Sequence, residues 1–165
     1  MFNRMYRPLK GLVTLSAILA AGATLADSTT NAPGSACVAT GSASLTVRDD
    51  AEAENRTASL VTALCPAERP VGAGTFTTAL SGRVFVVDQN PLSDVCCRAV
   101  SKNPGGAKVT GTWSCSSGSS SGYQILDLAA LSDTYTFSAF FLECQVPAPS
   151  SGFYSRIQMY RVSQQ

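Results

Sequence analysis

Gly118-Ser119-Ser120-Ser121-Gly122 carries the letters of G-x-S-x-G, which in hydrolases exposes a nucleophilic serine on a strand-to-helix turn. That chemistry needs a base, most often histidine, and the chain contains no histidine. No helical pattern follows Gly122, so the match reads as a by-product of a serine-rich loop. A serine-lysine pair would draw on Lys102 or Lys108, which belong to a neighbouring hairpin and carry no sign of the burial that activates an amine.

The acidic run Asp49, Asp50, Glu52, Glu54 offers two sharper chemistries. A calcium ion wants several carboxylate and carbonyl oxygens from one loop. The spacing lacks the glycine and distal glutamate of an EF-hand, which excludes that motif and leaves a less regular site, drawing also on Asp88, Asn90 or Asp94. A glycosidase would pair one of these carboxylates with Glu143 across a scissile bond. The plainer reading is a solvated acidic face, as charge runs usually are. No cofactor is implied.

Cys37, Cys65, Cys96, Cys97, Cys115 and Cys144 form an even set with no C-x-x-C pair. Without histidine to complete a zinc site, they read as disulfides, and six cysteines allow fifteen pairings. Adjacent Cys96 and Cys97 on a strand point to opposite faces and join different partners; a redox-active vicinal disulfide is the rival. The aromatics Tyr135, Phe137, Phe140, Phe141, Phe153, Tyr154 and Tyr160 crowd the last third. They suit a sugar platform or a partner surface, but alternation places most of them in a core. Phe141 and Tyr154, whose strand-mates Glu143 and Arg156 are charged, are the candidates for exposure.

These residues are positioned by a chain whose first part reads as a leader. Arg4, Arg7 and Lys10 precede the apolar run from Gly11 to Leu25, with small-residue cleavage sites at Ala23 and Ala26. That is a secretory signal peptide over residues 1–26. It is a better fit than a membrane anchor, because polar residues from Asp27 onward close the run short of the roughly 20 residues a span needs. Cleavage takes three of the twelve basic residues, leaving nine against eleven acidic and a net charge of −2. Nothing there attracts nucleic acid or an anionic membrane surface. Disulfides and leader together place the protein outside the cell or in a periplasm.

Residues 27–43 are polar, contain Asn31-Ala32-Pro33-Gly34, and read as a mobile mature N-terminus. A single domain over 44–165 follows. Leu45 and Val47 start the first strand, and Thr57 to Cys65 make the second, a helix over Ala51 to Leu64 being the rival. Arg83 to Asp88 reads as a strand covered on both faces. Asn103-Pro104-Gly105-Gly106 turns a hairpin within Val95 to Cys115, which also holds the only tryptophan, Trp113. Ser116 to Gly122 is a loop too polar to pack. Tyr123 to Leu128 is a strand with Asp127 outward. In Thr134 to Val146 the aromatic parity changes, which predicts a bulge near Ser138-Ala139 that aims both sets inward. Phe153 to Val162 is the last strand. About eight short strands without an amphipathic helix predict an all-β, two-sheet antiparallel sandwich stabilised by disulfides.

Three sets of residues carry a resemblance. Asn55-x-Thr57 precedes a strand ending in Cys65-Pro66 and then Arg69. Val86-x-Asp88 stands ahead of Cys96-Cys97. Leu142-x-Cys144-x-Val146-Pro147 is followed by Tyr160-Arg161-Val162. Together they resemble a loose group of small secreted all-β, cysteine-containing bacterial proteins of unknown function, frequent in myxobacteria and other environmental bacteria. The resemblance implies export, an all-β fold and a bacterial source, and brings no catalytic residues.

The charged residues Asp49, Asp50, Asp88, Asp94, Lys102, Lys108 and Asp133 fall in expected turns, where solvent keeps them ordinary. The functional expectation is therefore a non-catalytic exported sandwich, a surface, adhesive or assembly module that binds protein partners or itself. Its partner surface is the last strand taken as an exposed edge, with Tyr154, Arg156, Tyr160 and Arg161 along it, and Phe141 nearby. The alternatives are a small carboxylate-based hydrolase and an inhibitor presenting Ser116 to Gly122.

Overall fold

The hairpin at the centre of the chain sets the register of one sheet. In the protein's structure, a computed structural model that describes residues 28–67, 79–135 and 137–164, Asn103 N–H bonds Ala107 O and Gly106 N–H returns to Asn103 O. Gly106 takes φ +88, a conformation glycine adopts without strain. This turn joins β7 (Cys96–Lys102) to β8 (Lys108–Thr110), and β9 (Ser114–Cys115) pairs the start of β7. Residues 1–26, expected as a leader, and Arg69 lie outside the described residues.

Among the described residues the chain forms twelve strands, four of them only two residues long. The remaining strands are β1 (Ser28–Pro33), β2 (Val38–Ala39), β3 (Thr46–Val47), β4 (Ala53–Glu54), β5 (Val61–Ala67), β6 (Ala79–Val87), β10 (Tyr123–Ser132), β11 (Ala139–Val146) and β12 (Arg156–Gln164). They form two antiparallel sheets packed as a sandwich. Sheet I runs β10-β6-β12-β4-β3, with β1 also on β12; sheet II runs β2-β5-β11-β7-β8, with β9 also on β7. Leu80, Val84, Val86, Leu126, Leu128, Tyr160 and Val162 of sheet I meet Ala63, Cys65, Ala99, Phe140, Leu142 and Val146 of sheet II in one core. These are the alternate residues of each strand, as a sandwich requires.

The three disulfides are Cys37–Cys65, Cys96–Cys115 and Cys97–Cys144, with no free cysteine. Cys96 and Cys97 do point to opposite faces, one to β9 and one into the core against β11. All three bonds tie strands or flanking residues of sheet II. The sheets are joined to each other by apolar packing rather than by cysteine. Such a set of bonds forms and persists under oxidising conditions.

Four expectations need correction. The stretch expected as a mobile N-terminus is ordered from Ser28: β1 pairs β12, Gly34–Ala36 is a 3₁₀ turn, and Cys37 is bonded. Gly34 makes this docking work, because a Cβ there would lie 1.9 Å from Ile157 O. As a result the last strand is interior. It begins at Arg156, pairs β6 along one side, and is covered on the other by β4 and then β1. The aromatic-rich stretch becomes a strand only at Ala139, so no bulge turns Phe137 inward and it is exposed. Arg83 to Asp88 is not covered on both faces: Val84 and Val86 are buried, but Arg83 is exposed and Phe85 half-buried.

Candidate functional site

The acidic run is an ion-pair network. Ala51 in a left-handed turn (φ 63) folds Arg48 back over the run, with Arg48 N–H bonding Glu52 O at 3.0 Å. Buried Glu54 accepts from Arg48 Nη1 at 3.2 Å and from Arg56 Nε at 2.6 Å. Glu52 accepts from Gln158 Nε2 at 2.9 Å. Its other oxygen lies 2.5 Å from Arg156 Nε in an ion pair too misaligned to complete a hydrogen bond. The hydrogen bond from Arg48 to Glu54, then the charges of Glu54 and Asp50, raise the pKa of the Arg48 guanidinium above its ordinary value. Arginines thus supply the counter-charge that the calcium reading assigned to an ion. Among the described residues no group of three His, Cys, Asp or Glu side chains is placed to hold a metal.

Asp88, Asp133 and Glu143 are equally engaged. Asp88 is fully buried, not solvated in a turn: Ser116 Oγ and Ser155 Oγ donate to it at 2.5 and 2.6 Å, and Asn90 N and Val95 N at 3.1 Å each. Ser116, at the head of the loop expected to be too polar to pack, is buried with it. Asp133 is likewise buried and accepts from Ser101 and Ser138 hydroxyls and Tyr135 N. Glu143 pairs with Arg98 at 2.7 Å on the outer face of sheet II, with Trp113 stacked on Arg98 at 4.3 Å. It sits on a different sheet from Glu52 and Glu54, which separates the carboxylates of the glycosidase reading. Gly118 to Gly122 leads directly into β10, not a helix, and Ser120 N–H is tied to Asp88 O.

The expected partner residues scatter. Tyr160 is 2% exposed and its hydroxyl donates to Pro66 O at 2.8 Å. Tyr154 is half-buried under Arg56, 5.4 Å from its ring, and Arg156 serves Glu52. Phe141 is half-buried in sheet II. Of the aromatics assigned to the core, only Phe140 and Tyr160 are fully inside. Arg161 alone is exposed on a face with other unspent groups.

That face is the outer side of sheet I. Register places Ile125, Phe85, Met159 and Pro33 opposite one another across β10, β6, β12 and β1. Their strand neighbours Val84, Val86, Leu126 and Tyr160 face the core, so these four face out. A bulge between Ile157 and Met159 adds Gln158 to the same side. Tyr123, 63% exposed, stands at the end of the row, its ring 6.2 Å from that of Phe85. A groove of about 590 Å³ opens here. Phe85, Tyr123, Met159 and Pro33 line it, with Asn31, Gln158, Asp50 and Glu52 among its polar residues. Phe85, Tyr123 and Met159 are not among the site residues expected from the sequence. The signal was available in the outward parity of β6 and β10, where Phe85 on one strand and Tyr123 and Ile125 on the other stand beside the polar Arg83 and Asp127.

No protein-family model and no curated protein matches the chain. Among solved structures it is similar to a family two carbohydrate esterase from Cellvibrio japonicus, at 10% identity and a TM-score of 0.45, over 85% of this chain and 35% of that one. The chain spans about a third of that structure's length.

Proposed function

We propose that this protein is a non-catalytic exported binding module that holds a saccharide chain on the outer face of sheet I. The observation that carries the reading is the outward-facing apolar row Ile125, Phe85, Met159, Pro33, its two middle members half-buried, with Tyr123 at its end and amides at its rim. Such a surface matches a pyranose, whose C–H faces rest on apolar side chains while its hydroxyls reach Asn31 and Gln158. Binding sites of this make-up combine an apolar lining with a few placed polar groups. The strands beneath the row favour a ligand bound by side chains alone. β6 and β12 are hydrogen-bonded on both edges, so a peptide finds no main-chain partners there. The engagement of Asp88, Asp133, Glu52, Glu54 and Glu143 by hydroxyls, amides and arginines supports a binder over the hydrolase reading.

Affinity electrophoresis through gels containing single polysaccharides is the test. Retardation by at least one polysaccharide, lost in Tyr123→Ala with the thermal transition unchanged, is the expected result. Equal mobility in every gel would sink the reading.

A second reading, assembly with another copy, has its own support in β10. This ten-residue strand ends sheet I, and one of its edges has no strand partner among the described residues. Over Tyr123 to Leu128 it carries no proline or lysine, the usual guards of an open edge, and its bulge lies beyond, between Leu128 and Leu131. Sizing over a concentration series tests it: a dimer abolished by Ile125→Lys is expected, and a monomer at all concentrations refutes it.

A further inference from the structure

Two residues further along the strands from the apolar row lies a charged one, and its charges do not balance. Asp127, Arg83, Arg161 and Asn31 stand opposite one another on β10, β6, β12 and β1. Arg83 Nε donates to Asp127 Oδ1 at 2.5 Å, which neutralises one guanidinium. Arg161 is exposed, and its Nε donates to Asn31 Oδ1 at 2.8 Å, an uncharged acceptor. No described carboxylate forms an ion pair with Arg161. Like charges directly opposite on antiparallel strands repel, so this row holds two guanidiniums for one carboxylate. A third row follows, where Ser81, Ser163 and Thr29 stand opposite one another. A hollow of about 310 Å³ opens over these two rows, lined by Arg83, Arg161, Ser81 and Ser163 among others.

We infer that the saccharide held on this face carries a uronic acid whose carboxylate is taken by Arg161, while neutral rings rest on the apolar row. The inference rests on the saccharide-binding reading above. A guanidinium presents a planar fork that matches a carboxylate with paired N–H···O bonds. The Arg161 fork has given only one N–H to Asn31. Rows two residues apart are about 7 Å apart along the strands, so one oligosaccharide touches both. A single uncompensated cation selects an isolated carboxylate over a dense polyanion. Asp50 and Glu52 at the groove and a net charge of −2 after the expected leader cleavage both oppose a heavily sulfated chain.

Matched pairs of polysaccharides, native and carboxyl-reduced, are titrated against the disulfide-bonded exported protein. The set is glucuronoxylan and hyaluronan, which combine uronates with neutral rings, with dextran sulfate beside them. At least one native polymer is expected to bind about tenfold tighter than its reduced twin, as loss of a charge-assisted pair implies. Raising salt should erase that difference. Arg161→Gln should remove the preference, so that native polymer and reduced twin bind alike. Asp127→Asn strips the row of its carboxylate, and should tighten binding of the native polymer several-fold without affecting the reduced one. A misfolded variant cannot produce that gain. Equal binding of native and reduced forms, lost in Tyr123→Ala, would overturn the uronate and leave the saccharide reading standing. Dextran sulfate binding above every uronate polymer would overturn it in favour of sulfate. Binding to none of them would overturn both readings together.

Discussion

The side-chain amide of Asn55 donates to the backbone carbonyl of Val146 at 2.9 Å, joining residues 91 positions apart in the chain. The same nitrogen reaches Pro147 O at 3.0 Å and Ser59 O at 2.9 Å, while Asn55 Oδ1 accepts from Thr57 N and Oγ1, both at 2.8 Å. One buried side chain thus satisfies the end of β11 and shapes the turn before β5.

Asn55→Ala orphans buried carbonyls as well as losing hydrogen bonds, and is expected to lower stability by roughly 2–4 kcal/mol. Asn55→Asp, close in shape but unable to donate to Val146 O and Pro147 O, should be no milder. Thr57→Val removes one hydroxyl and is expected to lose about 1 kcal/mol. Urea unfolding followed by tryptophan fluorescence measures all three. An Asn55→Ala midpoint equal to wild type would refute the role assigned to this amide.

The hairpin from Val95 to Cys115 was legible because its determinants are local: a proline-glycine turn and alternation on both arms. Opposed Cys96 and Cys97 were legible for the same reason, since a strand has period two. The place of β12 was not. Whether a strand is an edge depends on what covers it, and here the cover is β1, more than 120 residues away in sequence. Asp88 reads as a solvated turn residue because the hydroxyls that bury it, Ser116 and Ser155, come from two distant loops. The outward row of sheet I was half legible. Phe85 and Tyr123 have the right parity on their own strands, but their alignment with Met159 and Pro33 follows from pairings that local patterns do not encode.

Ala51 holds φ 63 in the turn that carries the arginine-glutamate network, where Ala51 N–H bonds Arg48 O at 3.0 Å. A left-handed conformation costs an L-residue about 1–2 kcal/mol. Glycine relieves that strain and loses part of the gain to its larger unfolded-state entropy. Ala51→Gly is expected to stabilise the protein by about 0.5–1 kcal/mol, seen as a higher midpoint with an unchanged m-value. A lower midpoint would show that the turn is not strained.

The disulfides should differ in worth. Cys96–Cys115 spans 19 residues, and Cys97–Cys144 spans 47 and lies in the core. Loop-closure entropy assigns about 3 kcal/mol to the shorter link and about 4 kcal/mol to the longer. Replacing the buried pair by alanine also opens space between β7 and β11, which adds a packing loss. Cys97→Ala/Cys144→Ala is therefore expected to be the more damaging double variant, by at least about 1 kcal/mol. Equal losses in chemical unfolding would contradict this ranking.

Asp88 gathers four donors from three separate stretches: Ser116 Oγ, Ser155 Oγ, Asn90 N and Val95 N. It also fixes Ser120, whose N–H meets Asp88 O at 2.6 Å, so the serine loop, the entry to β7 and the approach to β12 converge on one residue. A carboxylate suits the position because every neighbour named donates and both its oxygens accept. An asparagine side chain in its place would turn an NH₂ group toward donors. Asp88→Asn is thus expected to lose roughly 3 kcal/mol, more than Ser116→Ala or Ser155→Ala at about 1 kcal/mol each. Because the three side chains form one network, a double-mutant cycle of Asp88→Asn with Ser155→Ala should show coupling of at least about 0.5 kcal/mol. Hydrogen exchange gives the local readout: the Val95 and Ser120 amides should lose protection first. Additive losses with those amides still protected would mean that Asp88 is not what holds the three segments together.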